Sequence, residues 1–85
     1  MKNENTKEAY KKVWSRKANT ILKDLVVQQV RWMSEKEVSE YGWMGSAPVI
    51  EFTNGVVIIA SMDDEGNDAG ALFTNHKDLS VLPRI

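Results

Sequence analysis

The sequence predicts an α+β fold: an N-terminal amphipathic helix packed on a small antiparallel sheet of about four to five strands, with a second short helix. Three observations predict it. Apolar residues recur at helical spacing through the first quarter of the chain. An Asn54-Gly55 pair sits between two β-rich runs. The order α-β-α-β-β-β-β then leaves no long crossover after that hairpin, which argues against a parallel sheet. With 85 residues, of which 42% are hydrophobic and 27% charged, the chain reads as one globular domain over 1–85 with a modest core. The helix occupies about 5–24 and the α+β body about 25–85.

The first helix rests on Tyr10, Val13, Trp14, Ala18, Ile21, Leu22 and Leu25, a stripe interrupted only by Lys17. Asn5 with Glu8 three residues later forms a loose capping box, Asn replacing Ser or Thr. No Gly or Pro breaks the segment. Leu25–Met33 reads as a strand because Val26, Val27, Val30 and Trp32 are β-branched or aromatic. Gln28 can point outward there only if the strand is irregular. Ser34-Glu35-Lys36-Glu37 is a capping box that opens a short helix with Val38 and Tyr41 as apolar positions, and Gly42 is its natural C-terminal stop.

Pro48–Thr53 and Val56–Met62 flank Asn54-Gly55 and predict a two-residue type I′ hairpin. In that register Phe52 faces Val57 and Ile50 faces Ile59. The other face carries Val49, Glu51, Thr53, Val56, Ile58 and Ala60, so both faces are largely apolar. The long helix can cover one; the second needs another part of the chain or a partner. Asp63–Gly70 is a polar loop, Ala71–Thr74 a short strand, Asn75–Asp78 a turn, and Leu79–Leu82 a last strand that Pro83 ends.

The chain contains no cysteine, which excludes disulfides, thiolate zinc sites and cysteine nucleophiles. No apolar run approaches the ~20 residues needed to span a bilayer, and the N-terminus lacks a signal-type apolar region. Cytoplasmic residence is therefore the expectation, with no membrane partner. The net charge of −1 is unevenly placed. Residues 1–23 carry seven basic and two acidic groups, a net +5, and residues 24–85 carry four basic and ten acidic groups, a net −6.

Asp63, Asp64, Glu65, Asn67 and Asp68 form the densest polar cluster. Oxygen ligands of this kind suit Ca²⁺ or Mg²⁺. The EF-hand spacing fails, since Asp68 would stand where Gly is required and Thr74 where the bidentate Glu is required. No metal or cofactor is expected, and a solvated turn is the plain alternative. His76 is the only histidine and has no nucleophile beside it in sequence; no phosphate-binding glycine motif occurs. No catalytic residue is therefore assigned, and the chain is read as not an enzyme.

Trp43, in the glycine-flexed segment Tyr41-Gly42-Trp43-Met44-Gly45-Ser46, is either an exposed binding anchor or the lid of a small core. Its loop precedes Pro48 and the acidic loop follows Met62, so the hairpin brings both to one end. Trp43 with Asp63, Asp64, Glu65, Asn67 and Asp68 is thus the candidate site for a small molecule or peptide. Lys11, Lys12, Arg16 and Lys17 could follow a phosphate backbone. The pI of about 5.8 argues against nucleic acid and for a solvated helix face or pairing with the acidic body of the same or a neighbouring chain.

Gly42-Trp43, Pro48-Val49-Ile50, Asn54-Gly55 and Asp63-Asp64-Glu65-Gly66-Asn67-Asp68-Ala69-Gly70-Ala71-Leu72-Phe73 together resemble a group of short, uncharacterised bacterial and phage-type proteins. The resemblance covers about residues 28–85. That group has no established activity and supplies no catalytic residues; by analogy it implies a binding or inhibitory module. The expectation from the residues is a non-enzymatic interaction module that pairs with itself as a homodimer or with another protein.

Overall fold

The structure, a computed structural model, describes the backbone of residues 2–85 and side chains from Thr6 onward. The elements are α1 (Lys2–Leu22), β1 (Val27–Trp32), α2 (Glu35–Tyr41), β2 (Pro48–Phe52), β3 (Val57–Ile59), β4 (Leu72–His76) and β5 (Leu79–Leu82). The α+β class and its antiparallel strands are as the sequence predicts. The strands form two sheets, a three-stranded one in the order β1-β2-β3 and the ribbon β4-β5.

The largest departure is α1. The expected packing of this helix on the sheet does not occur: every residue from Thr6 to Ile21 is exposed. Tyr10, Val13, Trp14 and Ile21 retain 64%, 53%, 63% and 52% of their accessible surface. The radius of gyration is 15.2 Å, and the longest dimension is 45 Å against 28 Å in the other two. A compact chain of this length would have a radius of about 12 Å. The helix also begins at Lys2, so Asn5 lies inside it instead of capping it. At its other end Asp24 takes the left-handed conformation (φ 65°), which ends α1 before β1 begins.

The sequence signals around α2 hold in full. Ser34 Oγ accepts from the Glu37 amide at 3.2 Å and Glu37 Oε1 accepts from the Ser34 amide at 2.8 Å, a complete capping box. Gly42, at φ 69°, closes the helix with its amide directed to the Ser39 and Val38 carbonyls. The strand is irregular, the condition under which Gln28 can point outward: a bulge lies between Val27 and Gln29.

The hairpin forms where expected, with a different turn. The Gly55 amide donates to the Phe52 carbonyl at 3.0 Å and the Phe52 amide to the Val56 carbonyl at 2.9 Å. Gly55 has φ 93°, whereas Asn54 is not in the positive-φ region. This is a three-residue loop, a type I turn followed by a glycine bulge, in place of a type I′ turn. The register moves by one residue, to Val49↔Ile59, Ile50↔Ile58 and Glu51↔Val57. A one-residue shift exchanges faces. Ile50, Phe52, Val56 and Ile58 now share one face with Val30 and Trp32 of β1, while Val49, Glu51, Val57 and Ile59 share the other with Gln29 and Arg31.

The β1-β2 register explains the polar residues of the sheet. Helix α2 lies on the second face, where Val38 packs on the core that contains Val49. Arg31 bridges the two layers. Its Nη1 is 2.8 Å and its Nη2 3.0 Å from the Glu37 carboxylate, and its Nε is 3.1 Å from Glu51. Gln29 donates to the same Glu51 carboxylate. A bidentate guanidinium of this kind fixes geometry as well as charge. The first face is left apolar and half-open, with Val30 47% and Val27 49% exposed. The core gathers at the end of the sheet remote from the hairpin turn, around Met33, Trp43, Ala47, Val49, Ala60 and Ala69.

The Arg31 hydrogen bonds hold the Glu37 carboxyl down from its ordinary 4.5 to about 2. A carboxyl depressed by folding stabilises the native state above its unfolded value, and that contribution is lost as pH falls toward the folded value. Thermal unfolding followed by circular dichroism should therefore show stability falling between about pH 4.5 and pH 2. In Glu37→Gln that fall should be shallower and the stability near neutral pH lower.

Candidate functional site

The two loops at the core end of the hairpin meet as the sequence predicts. Trp43 is 9% exposed and reaches across to the acidic loop, where its indole Nε1 donates to the Gly66 carbonyl at 2.7 Å. Tyr41 sets its ring edge-on to Trp43, centroids 4.9 Å apart at 75°. Trp43 thus closes the core, one of the two roles its position allowed. Its neighbour Met44 is the exposed side chain of this loop, at 89%.

The carboxylates of the acidic loop divide into two kinds. Asp63 turns the loop on itself: Oδ1 accepts from the Glu65 amide at 3.0 Å and the Asn67 amide at 3.2 Å, and Oδ2 accepts from Asn67 Nδ2 at 2.8 Å. Asn67 foremost among these donors lowers the Asp63 pKa from its ordinary value. Asp68 ties three segments together. Its Oδ1 accepts from the amides of Ala69 at 2.7 Å, Met44 at 3.0 Å and Gly45 at 3.2 Å, while Oδ2 receives Arg84 Nη2 at 3.2 Å. The Ala69 amide is the first cause of its lowered pKa. Asp64 and Glu65 are exposed, and Glu65 Oε1 accepts from Asn67 Nδ2 at 3.5 Å.

Asp63 and Asp68 therefore spend their oxygens on the chain's own donors, and among the described residues no group of three or more acidic or histidine side chains is arranged to hold a metal ion. What the arrangement does is fasten the Tyr41–Ser46 loop, the acidic loop and the C-terminus into one unit. Sequence reasoning missed Arg84, Ser46 and Ser61, which complete it. Ser46 and Ile85 exchange both backbone hydrogen bonds, at 2.6 and 2.8 Å, and Ser46 Oγ donates to the Met33 carbonyl at 2.8 Å. Ser61 Oγ donates to the Asp63 carbonyl at 2.8 Å. The legible signal was Asp68-Ala69-Gly70, an acid followed by two small residues, which marks a close backbone approach.

Lys11, Lys12, Arg16 and Lys17 do not form one face of α1. At about 100° per residue, Lys12 and Arg16 share a side of the helix, Lys11 lies off it, and Lys17 falls within the apolar stripe. Lys17 Nζ sits 5.3 Å from the Trp14 ring centroid. Lys11 pairs with Glu8 at 3.1 Å. An apolar depression along Thr6, Ala9, Tyr10 and Val13 opens on this helix. No helix among the described residues is long and apolar enough to cross a membrane.

Two glycines test how tightly the fastened loops are packed. A Cβ on Gly70 would lie 2.6 Å from the Ser61 carbonyl carbon and oxygen, which are backbone atoms. One on Gly45 would lie 2.5 Å from Arg84 Nη2, the end of a flexible side chain. Gly70→Ala should cost about 2 kcal/mol or more in denaturant unfolding. Gly45→Ala displaces Arg84 and should cost under about 1 kcal/mol, the scale of a solvent-exposed ion pair. Neither a protein family, a characterised protein nor a solved structure matches this chain.

Proposed function

We propose that the protein is a non-enzymatic interaction module that binds another protein chain, its own or a different one, through α1. The observation that carries this reading is the exposed stripe of Tyr10, Val13, Trp14 and Ile21 on a helix that touches little else. Two large aromatics and two β-branched side chains on one helical face form the anchor set by which amphipathic helices enter apolar grooves. Scattered apolar residues on a surface are ordinary; large ones gathered on one side of a projecting element favour a binding surface.

The alternative ligand site at Trp43 and the acidic loop is less favoured, because its best donors and acceptors are already taken up within the chain. The module is therefore read as a rigid body, fastened by Asp68, that presents a helix.

The test is the solution mass of the full chain, alone and with candidate protein partners, for the wild type and for Tyr10→Gln/Trp14→Gln. Association at micromolar concentration that weakens at least about tenfold in the double variant is expected, as for the loss of two aromatic anchors. Association of equal strength in the variant, or no protein binding at all by the wild type, would overturn the reading.

A further inference from the structure

We infer that the partner of α1 is a second copy of this chain, and that the helix docks on the open apolar face of that copy's β1-β2-β3 sheet. This rests on the proposed binding role of α1 and names the surface it meets.

Three observations lead there. The first is the receiving surface. Val30, Ile50, Phe52, Val56 and Ile58 line the sheet face opposite α2; Val30 is 47% exposed and the others are half-buried. The second is fit. Tyr10 to Ile21 spans about 16 Å of helix axis. The five residues of β2 span about 17 Å, and three strands are about 10 Å across, one helix diameter. The third is charge. Residues 1–23 carry +5 and residues 24–85 carry −6. Helix on body brings opposite charges together, while helix on helix would set two +5 segments side by side with Lys17 inside the seam. Reciprocal docking of two copies gives a closed two-fold dimer with two identical contacts.

The experiment uses the asymmetry of that contact, which has a helix side and a sheet side. One variant, Tyr10→Gln/Trp14→Gln, spoils the helix. The other, Val30→Lys, spoils the face at an exposed position of an edge strand, with circular dichroism confirming that each remains folded. At a concentration where the wild type sediments as a dimer, each variant alone should be monomeric, weakened at least about tenfold. Mixing the two should restore a dimer, because the intact helix of one meets the intact face of the other. The wild-type dimer should also weaken several-fold between about 0.05 M and 1 M salt, as screening shortens from about 14 Å to about 3 Å. If the helix variant is monomeric but Val30→Lys dimerises like wild type, or if mixing restores nothing, the docking surface is overturned while α1 remains the binding element. If the wild type is monomeric but binds another protein through α1, the self-pairing is overturned and the module reading stands. A wild type that neither self-associates nor binds any protein overturns both.

Discussion

The Asp68 carboxylate is the interaction on which the body depends. One oxygen collects three backbone amides from two loops, and the other receives Arg84 from the C-terminal tail. Charge-assisted bonds to amides are among the stronger hydrogen bonds a carboxylate makes. Here they hold together segments that few apolar contacts could hold. The buried core is small and rich in alanine, with Ala47, Ala60 and Ala69 beside Met33, Trp43 and Val49. Small side chains let backbones approach closely, and polar bonds between backbone and side chain then do much of the fastening. Gly70 against Ser61 is the same economy carried to its limit.

A core closed in this way is complete without α1, whose residues from Thr6 to Ile21 stay exposed. The second sheet face is taken by α2 and by the Arg31 bridge to Glu37 and Glu51. The C-terminal tail reaches the end of the first face, where Trp32 Nε1 donates to the Pro83 carbonyl at 2.7 Å. What remains is the middle of the first face and the stripe of α1, two apolar surfaces on one chain. Their coexistence follows from the two strand registers: the β1-β2 pairing puts Arg31 and Glu51 on the α2 side, and the hairpin pairing puts Val56 and Ile58 on the open side with Ile50 and Phe52.

How far the sequence reveals this differs from element to element. Signals confined to a few residues were legible: the Ser34–Glu37 capping box, the Gly42 stop, the hairpin at Asn54-Gly55 and the irregular β1 all appear in the structure. The turn class was not legible, because Asn-Gly serves either a two-residue I′ loop or the end of a type I turn with a glycine bulge. Which one forms decides which residues of β3 share a face with Val49, here Val57 and Ile59. The meeting of the Trp43 loop with the acidic loop followed from hairpin geometry alone. That Asp63 and Asp68 would turn inward could not be read, since an acidic run looks the same whether water or the chain's own amides satisfy it. The exposure of α1 is not legible for a related reason: periodicity shows that a helix has an apolar face, not which surface covers it.

The exposure of α1 bears on its own stability. An isolated helix is marginal in water, and most helices in proteins persist because an apolar face is packed. Residues 6–22 contain two alanines, with Thr6, Val13, Asn19, Thr20 and Ile21 among the poorer helix formers. The i,i+3 pair Glu8–Lys11 and the Lys17–Trp14 contact contribute only fractions of a kcal/mol at such exposed positions. Local terms of that size do not order a helix of this length on their own. Docking the stripe would add the missing packing, so helix formation and binding are linked: a partner that takes only the helical form stabilises it by mass action. The basic charge of α1 fits the same scheme, since it opposes collapse onto another α1 and favours a body whose net charge is negative.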